Sequence, residues 1–485
     1  MRIERHRTAL DRASLSRPVR LALQDNLLVS GDRVLDYGCG KGDDIRRLQA
    51  LGHDCAGWDP VHRPDGGKDP ADIVNIGYVV NVIEDAAERA QALLDAWALT
   101  RKVLVVSGRL AAEARAIPAT EFGDGYVTRC NTFQKLFGQQ ELKDWIEASL
   151  GVRVATGGPG VFYVFRDESR RQAFLLSRYQ RSPREPRIDQ SGALYTANKE
   201  LLDELAAFLM GRGRLPGVGE LEEAATRLRD IFGSVRRAAL VVTRAVGDEQ
   251  WREAQDGRTQ DLLVYFALAR FDRRPKFGEL PPDVQLDVRA FFTSYQAACE
   301  LADSLLFSVG SLAGLDRVFR SASVGKLMPT ALYVHASAIG RLPTELRIYE
   351  GCARGYVGAV EGANIVKLHR DEAKVSYLVY PDFDRDAHPA LARAVTVPLQ
   401  TFRLDIRDYL ASTNPPVLHR KEEFVADDHP SSEKFRRLTL QEERFGLYRD
   451  PARIGTRAGW DDALARAGVS IRGHRVVRDR ALPQP

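Results

Sequence analysis

The 485-residue sequence contains no apolar run near the roughly 18 residues that a membrane-crossing helix needs, so no membrane span is expected. Its first residues show no basic stretch leading into an apolar one, so no secretory signal is read there and a cytoplasmic protein is expected. Cysteine is scarce. Cys39, Cys55, Cys130, Cys299 and Cys352 are odd in number and show no C-x-x-C spacing, which argues against a disulfide framework and against a zinc site. Asp382-x-Asp384-x-Asp386 begins like a calcium loop. However, Ala387 stands where glycine is required and Arg393 where glutamate is, so a solvated turn and no metal are expected. Neither sign of charge dominates: 70 Lys and Arg against 66 Asp and Glu leave +4, too little to mark a nucleic-acid binder by itself. What remains, 44% hydrophobic and 28% charged, is ordinary globular material, and the length implies about two to four domains.

The stretch beginning at Gly31, GDRVLDYGCGKGDDIRRLQALGHDCAGWD, organises the rest. The apolar Val34 and Leu35 lead to Asp36, which opens into Gly38-x-Gly40-x-Gly42. Ile45, Leu48 and Leu51 then recur at helical spacing until Gly52. This reads as strand, glycine turn and helix, a place where backbone approaches a ligand closely. A second apolar segment, 55–58, ends in Asp59, 17 residues beyond Gly42, near the roughly 20 expected for an acid that binds ribose hydroxyls. The unit is a nucleoside-binding βαβ. Dinucleotide sites use G-x-G-x-x-G so that pyrophosphate can sit on the turn. Here the glycines alternate strictly, and Asp36 at the strand end would repel pyrophosphate but suit an ammonium.

Along the chain, residues 1–30 form a basic N-terminal arm carrying Arg2, Arg5, Arg7, Arg12, Arg17 and Arg20, with Pro18 placed to open a short helix. An arm of this kind commonly contacts a phosphate backbone. Residues 31–168 are expected to form a Rossmann-like domain with a shortened sheet, because the loop after Asp59 runs directly into ADIVNIGYVV and leaves no room for a further helix and strand. Strands are expected at 72–76, 102–107 and 161–165, and helices at 85–99, with Asp85 as its cap, and 140–150. GDGYVTRCNTFQKLF is read as a loop crossing the top of the sheet. A basic linker at 169–190 leads to a mostly helical region, 191–330, with helical spacing at 199–209, 221–232, 262–269 and 288–306. From 331 to 485 the period changes to paired strands at 364–369 and 374–380 with a third at 394–402, an α+β region.

The string VLDYGCGKGDD resembles motif I of the class I S-adenosylmethionine-dependent methyltransferases, and WDP resembles their second acidic motif. The resemblance implies that Gly38, Gly40 and Gly42 cradle the methionine part of S-adenosyl-L-methionine with Asp36 beneath it. It also implies that Asp59 takes the ribose and that Pro60 lies against the adenine. With GWDPVHRP, ADIVNIGYVVNVIED, NTFQKLF, EGCARGYVGAVEGANIVKL, VSYLVYPDFDRDAHPAL and NPPVLHRKEEF, the whole chain looks like the DNA phosphorothioation-associated putative methyltransferase family. That resemblance implies a methyltransferase of a bacterial DNA modification and defence system acting on nucleic acid, DNA before RNA, alongside other phosphorothioation proteins. A scaffold without turnover in the same machinery is the alternative.

Asn75-Ile76-Gly77-Tyr78 stands where amino-group DNA methyltransferases carry Asn or Asp, two prolines and an aromatic. By that position Asn75 would bind the target amine and Tyr78 would stack on a base flipped from the duplex. Ile76-Gly77 replaces the prolines, and a plain strand end explains the same letters. Asn414-Pro415-Pro416-Val417 lacks the aromatic and is read as a turn. His62-Arg63 either contacts substrate or caps a loop. Thr132 to Lys135, with Tyr126 and Arg129, is the best acceptor-side loop by its place over the strand ends.

Overall fold

The computed structural model describes residues 3–9, 11–113, 119–181 and 192–479. The chain divides into two compact units. One comprises 1–167, 324–338 and 352–485, and the other comprises 168–323 and 339–351. Of the C-terminal region, expected as a domain of its own from 331, residues 331–338 and 352–485 therefore belong with the first 167 residues, and 339–351 with the other unit. The backbone shows why. Ala359 N donates to Gly157 O at 2.9 Å, and a Cβ on Gly358 would lie 2.6 Å from Gly158 N, so the two segments pack main chain to main chain. Of the expected basic linker, 182–190 lies outside the described residues, while Glu168–Ser177 is a helix.

The first unit opens with helix α1 (Arg17–Gln24), which starts with Pro18 in its first turn and buries Pro18, Val19, Leu21 and Ala22. Then follow β1 (Arg33–Tyr37), α2 (Asp43–Ala50), β2 (Asp54–Trp58), β3 (Ala71–Gly77), α3 (Ala86–Ala98) and β4 (Thr100–Ser107). After them come β5 (Ala119–Phe122), β6 (Gly125–Thr128), β7 (Phe133–Gln134), α4 (Gln139–Leu150), β8 (Val154–Gly158) and β9 (Val161–Phe165). The main sheet runs β2-β1-β3-β4-β9-β8 and ends at β2, the shortened edge expected from the brief connection after Asp59. The first four strands are parallel, while β9 is antiparallel to both its neighbours. Thus β9 lies inside the sheet, and the unexpected strand β8 forms the other edge. Leu35, Val74, Ile76, Leu104, Val106, Phe162 and Val164 fill the core between sheet and helices. The stretch 123–137, read as a loop, contains β6 and β7, which form a small antiparallel sheet with β5, in the order β5-β6-β7. Its alternation is anchored by Val127 and the fully buried Phe133.

Asp85 caps α3 by accepting the Glu88 amide at 2.8 Å. Asp85→Ala should therefore cost about 1 kcal/mol, the usual loss for an N-cap carboxylate. Urea unfolding would show it as a lower midpoint with unchanged slope, and an unshifted midpoint would contradict it.

A second antiparallel sheet in this unit comprises β10 (Lys326–Leu327), β11 (Ala331–His335), β12 (Ala363–His369), β13 (Lys374–Val379), β14 (Arg393–Pro398) and β15 (Asp405–Asp408), paired in sequence order. The other unit is helical. Helical spacing missed Val235–Val246 and the first half of Asp248–Leu268, and its single helix at 288–306 joined the end of Pro282–Phe291 to most of Tyr295–Val309. Ser294 separates the last two by capping the second through its hydroxyl. Among the described residues no single helix is long and apolar enough to cross a membrane.

Candidate functional site

The order β2-β1-β3 reverses direction at β1, and in open α/β sheets the carboxyl ends of strands on either side of such a switch form a crevice. Here the crevice is a cavity of about 1020 Å³, lined from the first unit alone. Ligand pockets are typically roughly 300–1,000 Å³, so the cavity lies at the upper end of that range.

At its floor is the glycine turn. Gly38, Gly40 and Gly42 have φ of +80°, +51° and +78°, a region that other L-residues enter at a cost. Gly38 N and Cys39 N both donate to Trp58 O, at 2.8 and 3.1 Å, and pin the turn to β2. Asp59 fastens it from the other side. One carboxylate oxygen accepts Gly40 N at 3.0 Å, and the other accepts Val61 N and His62 N at 2.9 and 2.8 Å. Pro60, Val61 and His62 continue the wall. Each cofactor-side residue expected from sequence is thus in one place, except that Gly42, which caps α2, does not border the cavity.

Asp36 is buried at the end of β1, facing Asn75 in register on β3. Burial, reinforced by nearby Asp44 and opposed by the hydrogen bond from Asn75, pushes its carboxyl up to about 7. Asn75 donates through Nδ2 to Asp36 at 2.8 Å, so the amide nitrogen is committed and Oδ1 is left buried without a hydrogen-bond partner. A buried acceptor without a donor is costly and uncommon. Asp43 and Asp44 in the first turn of α2 add negative charge where a phosphate-binding helix would have none. The floor therefore suits a cation with N–H groups, in agreement with the charge argument from sequence.

The N-terminal arm lies over this floor. Ala9 sits 3.1 Å from where a Cβ on Gly40 would be. The amides of Arg12 and Ser16 donate to Asp43 and Asp44 at 2.8 and 2.7 Å, Asp11 pairs with Lys41 at 2.8 Å, and His6 O meets His62 Nε2 at 3.2 Å. Arg5 pairs with Glu84 and Glu88 at 2.8 and 2.5 Å, Arg7 with Glu4 at 2.6 Å, and Arg17 with Glu113 at 2.5 Å. The arginines expected to face a phosphate backbone are thus paired with carboxylates of the same unit; Arg2 lies outside the described residues.

Tyr78 follows β3 with φ +61°, an unusual value for an aromatic residue, held by its amide donating to Ser107 O at 3.1 Å. Arg12 lies over its ring, 5.9 Å from the centroid. Beyond Tyr78 the cavity wall is built from Arg17, Arg20, Arg109, Glu113, Glu361 and Arg393. Glu113 joins Arg17 to Arg393 Nη2 at 2.9 Å, and Arg20 pairs with Glu361 at 2.6 Å. Sequence reading missed this wall, because Glu361 and Arg393 arrive from the second sheet's segment and no local pattern announces them. Of the expected acceptor loop only Gln134 borders the cavity; Phe133 is core, and Lys135 pairs with Asp124 and Glu141. Asn414 accepts the Ala458 amide at 2.8 Å and does not border the cavity, consistent with the turn reading. No cluster of metal-ligating side chains occurs among the described residues.

No family model matches the chain, and no curated protein matches it. Among solved structures, the chain is similar to the 1,6-didemethyltoxoflavin-N1-methyltransferase of Burkholderia thailandensis, solved with 1,6-didemethyltoxoflavin and S-adenosylhomocysteine. The match covers 33% of this chain and 75% of that one at 16% identity, with a TM-score of 0.22. It is also similar to the CcbJ methyltransferase of Streptomyces caelestis, over 31% of this chain and 89% of that one at 13% identity, with a TM-score of 0.23.

Proposed function

We propose that the protein is an S-adenosyl-L-methionine-dependent methyltransferase acting on nucleic acid. The observation that carries this reading is the pair at the cavity floor: a buried carboxylate, Asp36, beside a buried acceptor, Asn75 Oδ1, that has no donor. The ammonium of the cofactor's methionine part supplies what both lack, a positive charge and N–H donors. Asp59, already fixed at the end of β2, hydrogen-bonds the ribose, and Pro60 packs against the adenine.

When bound, the cofactor supplies a methyl on a sulfonium, which passes to an acceptor nucleophile while the carbon–sulfur electron pair stays on sulfur. The chain's part is positioning and charge, with little covalent chemistry of its own. Tyr78 stands between the floor and the arginine wall, at the boundary where cofactor and acceptor meet. The resemblance of the later sequence strings, and that alone, supports a role in DNA phosphorothioation systems.

The pH dependence follows from Asp36. Its folded carboxyl is raised above the ordinary value of about 4, so between about pH 4 and 7 the ligand-free protein holds a proton that the unfolded chain has lost. Stability contributed by this group therefore falls as pH rises through that window. Cofactor binding prefers the ionised form. Affinity for S-adenosylhomocysteine should rise roughly tenfold per pH unit up to about pH 7 and then level off. Calorimetry across pH measures this, and Asp36→Asn should give a flat, weak profile. A wild-type profile that is itself flat from pH 5 to 8 would remove Asp36 from the site. Transfer is tested with radiolabelled cofactor over DNA, RNA and protein from cells lacking the gene; label in none of them favours the scaffold reading.

A further inference from the structure

The acceptor half of the cavity carries chemistry that the cofactor does not use. Four guanidiniums, Arg17, Arg20, Arg109 and Arg393, border it against two carboxylates, Glu113 and Glu361, leaving two positive charges in excess. Arg109, at the carboxyl end of β4, has no carboxylate partner among the described residues. Its backbone is held by Phe137 N donating to its carbonyl at 2.9 Å, so the side chain projects from a fixed point. Arg17 is also unsatisfied: its Nη groups hold Glu113 and Pro159 O, yet its Nε is buried without a hydrogen-bond partner. Guanidinium forks match phosphate oxygens in pairs, and a phosphate monoester carries close to the two negative charges needed.

The second observation is independent of charge. Asn81 is buried and donates through Nδ2 to Gln134 Oε1 at 3.1 Å, which leaves Asn81 Oδ1 without a partner. Both residues border the cavity, so two side-chain amides, each able to donate and to accept, are joined in its wall. Side-chain amides are the groups that read the hydrogen-bonding edge of a nucleobase, and Tyr78 borders the same space.

Resting on the reading of the cavity as a methyl-transfer site, we propose that the acceptor is a nucleotide. Its base meets Asn81, Gln134 and Tyr78, and its phosphate is held by Arg109 and Arg17. The phosphate comes either from a free nucleotide or from a strand, where two successive diesters supply the same charge.

The test is equilibrium binding to the full chain saturated with S-adenosylhomocysteine, using nucleosides, their 5′-monophosphates and unphosphorylated single-stranded oligonucleotides. The monophosphates or the oligonucleotides should bind at least tenfold tighter than the nucleosides. Tighter oligonucleotides identify a strand as the source, and tighter monophosphates identify a free nucleotide. Arg109→Gln should remove most of the phosphate advantage, and Asn81→Asp should change which base is preferred while leaving the advantage intact. Equal binding of nucleoside and phosphorylated forms, or an unchanged advantage in Arg109→Gln, overturns the proposal. Cofactor affinity measured on the same samples separates the failures: if the wild type does not bind S-adenosylhomocysteine, the methyl-transfer reading itself has failed.

Discussion

Asp59→Ala should weaken binding of S-adenosylhomocysteine by roughly a hundredfold, about 3 kcal/mol, the upper range for hydrogen bonds to a charged group. The size follows from two roles held by one carboxylate. It is the hydrogen-bond partner expected for ribose, and it already accepts three main-chain amides, from Gly40, Val61 and His62, that fix the turn and the following wall. Removing it loosens the backbone that must approach the ligand as well as the contact itself. Asp59→Asn keeps an acceptor for the amides and should lose less, which separates the two roles. Gly40→Val should prevent binding altogether, since φ of +51° strains a branched residue and its Cβ would press on Ala9 at 3.1 Å. Calorimetry giving equal affinity for Asp59→Ala and wild type would sink the assignment, and so would a folded Gly40→Val protein that binds normally.

Asp287→Ala should destabilise the helical unit by about 3–5 kcal/mol, the usual result of stripping one partner from a buried ionic cluster. Asp287 is fully buried. It accepts Arg214 Nε at 2.6 Å, Arg258 Nε and Nη2 at 2.8 and 2.5 Å, and Arg212 Nη1 at 3.3 Å. Arg214 retains Glu220, but Arg258 has no other carboxylate among the described residues, so its guanidinium would stay buried and uncompensated. Domains are stable by only about 5–15 kcal/mol, so the variant's helical unit should unfold at markedly lower urea. A loss below about 1 kcal/mol would show that solvent or rearrangement reaches Arg258. Asp287→Asn, which keeps the shape and one acceptor oxygen, should fall between the two proteins.

The cofactor floor could be read from the sequence because its determinants are local. Strand, glycine turn, helix and second acid follow one another within Arg33–Trp58 and the residue after it, and periodicity alone locates each. Asp85 as a cap was equally plain, since its partner is three residues away. The acceptor wall was not legible. Glu113 is joined to Arg17 across 96 positions and to Arg393 across 280, and an ion pair at such distance leaves no spacing to detect. For the same reason the C-terminal sheet read as a separate body. Strand alternation reports which face is buried but not what buries it, and β12 to β14 alternate the same way whichever segment they pack beside. The loop reading of 123–137 failed for a different cause: Gly125, Asn131 and Asp124 signal turns strongly enough to hide strands of two to four residues.

The arm over the glycine turn runs without a break into α1, and α1 carries Arg17 and Arg20. One short piece of chain therefore touches both halves of the cavity, at the turn through Ala9 and at the arginine wall through Arg17 and Arg20. Proline at the start of α1 stiffens the join, and the Ser16 amide bond to Asp44 fastens it to α2. The cover of the glycine turn and two guanidiniums of the wall are thus supplied by one continuous segment, so a substitution that displaces it alters both halves of the cavity at once.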